Sequence, residues 1–304
     1  MSSLLTNSSA MTALQTLRSV SQNLSTTQSR ISTGMRVATA SDNAAYWSIA
    51  TSMRADNAAL SAVSDSLGLS AATVDTEYTA LTAVIGSDGK SGLNKLQSLL
   101  VEAKTAGIDR EKIQAEITQI QEDMKNTANS ATFNSVNWLS TDATTPATVN
   151  LVSSFSRVGG TPTINTITVT VANYSLYTDT QGGILDTVDA GTSASIDTID
   201  ISALTDSAAD QTTLDGLIAQ VTAAINTVSS SAADLGAIKN RISNNTEFVK
   251  TLMDSVTRGI GQLVDADMNA ESTRLSALQV QQQLGVQALS IANQNSQNLL
   301  SLFR

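Results

Sequence analysis

A chain of 304 residues can bury about three quarters of its unfolded surface if compact, yet 3% aromatics, two prolines and abundant Ser, Thr, Ala, Asn and Gln favour thin helical layers over a thick core. The absence of Cys and His removes disulfides, thiolate nucleophiles, thiolate or imidazole metal ligands and imidazole acid/base chemistry. The net charge of −10 argues against nucleic acid, whose phosphates need clustered Lys and Arg, and no run of 18 apolar residues predicts a membrane span.

The charge is segregated. All 27 acidic residues and 13 of the 17 basic ones lie in 42–274, which carries −14. Before it stand only Arg18, Arg30 and Arg36, and after it nothing charged until Arg304. In 1–42 the residues Ala10, Leu17, Leu24 and Ile31, with Leu14 and Val20 beside them, form a helical seam. The N-terminus has no basic region followed by an apolar core, so no general secretory signal peptide is expected. Arg18, Arg30, Arg36 and Asp42 are candidate polar contacts to other copies, with solvated surface as the alternative. Tyr46, Trp47 and Trp138, among the few large anchors, are expected to be buried against the helices.

Over 43–140 the spacing predicts helices. Leu60, Val63, Leu67, Val74, Tyr78, Leu81 and Ile85 form one seam, broken at Gly86-Ser87-Asp88-Gly89 by glycines that suit a turn. A second begins near Leu93, pauses at Gly107-Ile108-Asp109, where Asp109 suits a cap, and continues through Ile113, Ile117, Ile120 and Met124. Across 141–205 the period changes. Val149, Leu151, Ser153 and Phe155, then Ile167, Val169 and Val171, alternate about Gly159-Gly160 and Pro162, which predicts a β-hairpin. The Thr-, Asp- and Gly-rich stretch from Tyr174 to Thr205 has little pattern and is expected to be a small exposed excursion.

From 206 to 264 the apolar period is unbroken. Ile218, Val221, Ile225, Val228, Ala232, Leu235, Lys239, Ile242, Thr246, Val249, Met253, Val256, Ile260 and Leu263 alternate three and four apart, a coiled-coil seam about 70 Å long. Asp265 and Asp267, two apart, share no helix face and read as caps at a joint rather than as a metal or acid/base pair. In 265–304, Leu275, Leu278, Gly285, Leu289, Ala292, Leu299 and Phe303 form one helical face, and Leu284, Ile291 and Leu302 lie on a second. A terminal helix apolar or amide-bearing nearly all round expects neighbours on more than one side. The fold class is therefore mainly α: an elongated antiparallel bundle with a β-hairpin at one end and paired N- and C-terminal helices at the other. No catalytic, cofactor or metal constellation is visible.

Several motifs carry a family likeness. Asp265-Ala266-Asp267, then Gln279, Gln282-Gln283, Gly285, Ala292-Asn293-Gln294 and Gln297 through Arg304, together with Arg30 through Val37, Ser41 through Ala45 and Leu235 through Arg241, resemble bacterial flagellin. The length and the reduced variable stretch resemble flagellins of the rhizobial group. The resemblance implies a filament subunit for swimming motility, exported through a flagellum-specific type III channel with no cleaved signal. It further implies assembly outside the cell through the paired termini into a hollow helical polymer. Implied partners are copies of itself, paralogous flagellins, an export chaperone and a filament cap. Alternatives are a hook–filament junction protein, or a secreted coiled-coil adhesin or interaction module. Where many members carry a Leu-Gln-Arg-x-Arg-Glu-Leu receptor contact, Lys95, Gln97 and Ser98 replace two arginines and a glutamate while Leu99 remains. Arg's forked donors are then missing, which predicts weakened recognition by animal innate receptors.

Overall fold

The computed structural model describes residues 7–86, 88–142, 144–158 and 161–301, the side chains of Val158 and of 295–301 excepted. Among these, the fold is mainly α: α1 (Ser8–Thr33), α2 (Ala44–Ile85), α3 (Gly92–Ala103), α4 (Arg110–Ser130), α5 (Ala208–Val264) and α6 (Met268–Ser301). Between α4 and α5 lie β1 (Ser140–Thr141), β2 (Thr148–Val158), β3 (Thr161–Thr170) and β4 (Tyr177–Thr178). The chain divides into two compact units: residues 1–58 with 253–304, and residues 59–252.

The larger unit is built on seams that alternate three and four residues. On α2 the buried positions of this unit are Leu60, Val63, Leu67, Ser70, Val74, Glu77, Leu81 and Val84, with Ala80 beside them. The expected seam placed Tyr78 and Ile85 where Glu77 and Val84 actually sit. α5 departs in the same way. Val221, Val228, Leu235, Ile242 and Val249 are buried as expected, but the intervening places belong to Leu217, Ala224, Ser231 and Ile238, one residue before the expected Ile218, Ile225, Ala232 and Lys239. Ile218 and Ile225 are half-buried and Ala232 is itself buried, so α5 has a wide apolar face, whose centre a two-position repeat misjudges by a fraction of a turn.

Two glycines make the turn from α2 to α3. A Cβ at Gly86 would lie 1.8 Å from the Ser91 carbonyl oxygen, and one at Gly92 would lie 2.2 Å from that of Val84; both have positive φ, at 69° and 61°. Only glycine fits. α4 then begins after Asp109, which pairs with Lys112 at 3.0 Å.

β2 and β3 form the antiparallel hairpin in the expected alternation, Val149 opposite Val169 and Leu151 opposite Ile167, with a bulge between Val152 and Ser154. The segment after it is not an exposed excursion. Tyr174, Leu176, Tyr177, Leu185, Ile196, Ile199 and Ile201 are all buried. Their spacing matches neither helix nor strand, so no period betrayed them. The backbone is satisfied partly by other irregular backbone, as where the Leu176 and Tyr177 N–H groups donate to the Leu139 carbonyl, and partly by side chains: Gln121 donates to the Ile196 carbonyl at 2.8 Å, Gln114 to that of Ile199 at 3.0 Å, and Ser231 to that of Asn173 at 2.7 Å. Asp186 accepts from the backbone N–H groups of Thr178 and Gly183, both at 2.6 Å.

Glu77 is the unexpected member of this core. It is 0% exposed and accepts from the Trp138 backbone N–H at 2.9 Å, leaving its second oxygen without a partner. Burial pushes its carboxyl up to about 8, against the opposing pull of the Trp138 hydrogen bond, so it is largely protonated at neutral pH. Trp138 is fully buried, as expected, with its ring 6.3 Å from that of Tyr174.

Candidate assembly interface

The smaller unit pairs the chain's two ends. α1 starts at Asn7, whose Oδ1 accepts the Ala10 N–H at 3.0 Å and whose Nδ2 donates to the Ala292 carbonyl at 2.9 Å, so one side chain caps α1 and ties it to α6. It ends at Gly34, left-handed with φ 71°, the usual stop for a helix. The chain then crosses to the start of α6. Met35 bridges Asp265, the Ala266 N–H donates to the Gly34 carbonyl at 2.9 Å, and those of Arg36 and Val37 donate to Val264 at 2.6 and 3.2 Å. Val37, Ala50 and Val264 form a small buried core there, flanked by Met35 and Leu263. Asp267 caps α6 by accepting from the backbone N–H groups of Asn269 and Ala270, at 2.9 and 3.2 Å.

Between α1 and α6 the packed face is thin. Leu278 and Thr27 are buried; Ala10, Leu17, Val20, Leu24 and Ile31 from α1, and Leu275, Gly285, Leu289 and Ala292 from α6, are half-buried. At Gly285 the helices approach closely, since an added Cβ would lie 3.2 Å from Leu17 Cδ1. Arg30 and Glu271 join the two helices, Nη1 to Oε1 at 3.0 Å, with Glu271 buried.

A second apolar face is left open. On α6, Leu284 is 57% and Ile291 60% exposed, and Val280 is similarly exposed. At 100° per residue these three point roughly opposite Leu278 and Gly285. On α1, Met11 is 66% exposed; with Leu14 and Arg18 it lines an open hollow of about 570 Å³. Tyr46, Trp47 and Ile49, in the first turns of α2, are also exposed. That corrects the expectation for Tyr46 and Trp47: these anchors meet solvent, and the residue of this turn that enters the small core is Ala50.

Of the remaining site residues, Leu299 lies in α6 with its side chain outside the described atoms, and Leu302 and Phe303 lie outside the described residues. Arg18 is exposed. Arg36 donates to the Leu263 carbonyl at 3.2 Å. Asp42 caps its own loop, and the donors of Thr39 and then Ala38 hold its carboxyl below the usual range. In the larger unit Lys95 reaches Glu116 at 3.6 Å, Gln97 donates to Thr222 at 2.7 Å, Ser98 is exposed and Leu99 is buried. Sequence reasoning missed Glu271 as the partner of Arg30. The signal was present, since it is the last acidic residue of the chain and stands one turn into α6.

Paired termini, each with one face against the other and a second bare apolar face, define a self-assembling structural protein. The bacterial flagellin N-terminal helical region matches residues 4–144, and the bacterial flagellin C-terminal helical region matches residues 218–303. Full-length similarity extends to Flagellin C of Rhizobium meliloti (strain 1021), 45% identical over 325 residues, and to the Flagellin of Brucella melitensis biotype 1, 45% identical over 314. Flagellin A of the same Rhizobium strain is 40% identical over 403 residues, and in all three the alignment covers 100% of both chains. The chain belongs to the bacterial flagellin family and is a structural subunit of the flagellar filament.

Proposed function

We propose that the bare stripes of the terminal pair, Val280, Leu284 and Ile291 on α6 and Met11 and Leu14 on α1, are the surfaces that neighbouring copies cover as the filament grows. The observation that carries this is the division of α6 into two apolar faces, one against α1 and one in solvent. Leaving these half-exposed aliphatic side chains in water along about three turns forgoes roughly 1 kcal/mol each, which association recovers. Contacts that repeat without closing yield an open helical polymer. Leu299, Leu302 and Phe303 extend the same reading toward the C-terminus. Arg18, exposed and with no ion-pair partner among the described residues, is the polar residue of this proposed contact.

Family membership supports an extracellular filament, formed alone or with paralogous flagellins, as the destination. Export without a cleaved signal, through an export chaperone and onto a filament cap, completes the proposal. The inward engagement of Lys95, Gln97 and Leu99 supports weak recognition by animal innate receptors. The test is to seed purified full-length chain and chain lacking 275–304 with filament fragments and view both by negative stain. Long filaments from the first and none from the second are expected; normal growth of the truncated chain contradicts the proposal.

A further inference from the structure

The larger unit carries a protruding aromatic and an open groove. Phe248, on α5, is 60% exposed, one of only four phenylalanines in the chain. Arg241 stands seven residues before it, two turns away on the same face and about 10 Å along the axis. Arg241 is exposed, and no described residue pairs with it. The groove, about 870 Å³, lies between α2, the start of α3 and the end of α4, and is open to solvent. Its lining is small, with Ala80, Ala83 and Gly92 among its members and Met124 beneath. Two carboxylates border it. Asp75 is held by Lys239 at 2.8 Å, whereas Asp123 has no side-chain partner among the described residues.

We infer that Phe248 and Arg241 of one copy dock into the Ala80–Ala83–Gly92 groove of the next, the ring entering the small-residue lining and the guanidinium pairing with Asp123. The occupant is a second copy for two reasons. The protein is a filament subunit, so in the polymer its surfaces face other subunits. The charges also match: an unpaired cation beside an aromatic on one patch, an unpaired anion beside a cavity on the other. A ring of this size buries 150–250 Å² when enclosed, and a desolvated Arg–carboxylate pair fixes its orientation. Knob and groove are different patches of one chain, so the contact is head-to-tail and propagates without closing.

The test uses full-length chain and its filaments. Arg241→Asp and Asp123→Arg, each alone, are expected to raise the critical concentration for polymerisation at least fivefold, and the two together to return it to within twofold of wild type. Phe248→Ala is expected to raise it about tenfold. Monomer helicity, read by circular dichroism, stays at the wild-type level. A double variant as poor as the product of its parents, or an unchanged Phe248→Ala, overturns the contact. Independently, Phe248→Cys gives this cysteine-free chain a single thiol for a benzophenone maleimide. Photolysis of labelled filaments is expected to join it to 75–92 or 123–131 of another copy by mass spectrometry. Filaments that cross-link only elsewhere overturn the contact while leaving filament membership intact.

Discussion

Glu77 shows how much one side chain can conceal. In the sequence a glutamate in the middle of a helix reads as surface, and the spacing puts Tyr78 in the seam in its place. The structure puts the carboxyl inside, with one backbone donor and, among the described residues, no cation beside it. Its folded value of about 8 lies above the ordinary 4.5, so the unfolded chain releases a proton that the folded chain keeps. Its contribution is therefore complete below about pH 4.5 and is lost as pH rises toward and through 8. Glu77→Gln, which keeps an acceptor for the Trp138 N–H, is expected to match wild type near pH 4 and exceed it at pH 8 by on the order of 4 kcal/mol in urea unfolding. Equal pH slopes for the two proteins would contradict a buried, protonated Glu77. Arg30 presents the reverse case. Arg30→Ala strands the buried Glu271 carboxylate, and about 1–3 kcal/mol of stability is expected to go with it; adding Glu271→Gln is expected to restore much of that loss in the same assay.

At the scale of elements, period was legible and phase was not. The glycine turn at 86–92, the hairpin pairing of Leu151 with Ile167 and the unbroken α5 all follow from spacing and turn chemistry. What spacing does not reveal is which flank of a wide apolar face is deepest, hence the one-residue offset at Ala224, Ser231 and Ile238. Nor does it reveal apolar residues buried in irregular chain, such as Leu176, whose N–H donates to the Leu139 carbonyl, and Ile201, whose N–H donates to Gln114 of α4. At the assembly interface the two faces of α6 were visible as two stripes, but only the structure assigns Leu278 to α1 and Leu284 to solvent. Leu278→Ala is accordingly expected to cost the monomer about 2 kcal/mol, whereas Leu284→Asp is expected to change monomer unfolding by less than about 0.5 kcal/mol. Equal losses in the two, measured by urea unfolding of unpolymerised chain, would mean that the faces have been misassigned.

For the whole molecule, the charge pattern and the bare faces describe one design. Every carboxylate lies between Asp42 and Glu271, and the terminal helices carry almost none. A chain so divided keeps an acidic, soluble body while its ends remain free to pack without charge repulsion. The exposed stripe on α6 is the part of that design on which the proposed filament contact rests. The direct measurement is seeded polymerisation of the double variant Leu284→Asp, Ile291→Asp, followed by sedimentation and negative-stain microscopy beside circular dichroism of the monomer. Monomer helicity and unfolding like wild type, with no filament growth, is the predicted result; filaments growing from that variant at the wild-type rate would contradict it.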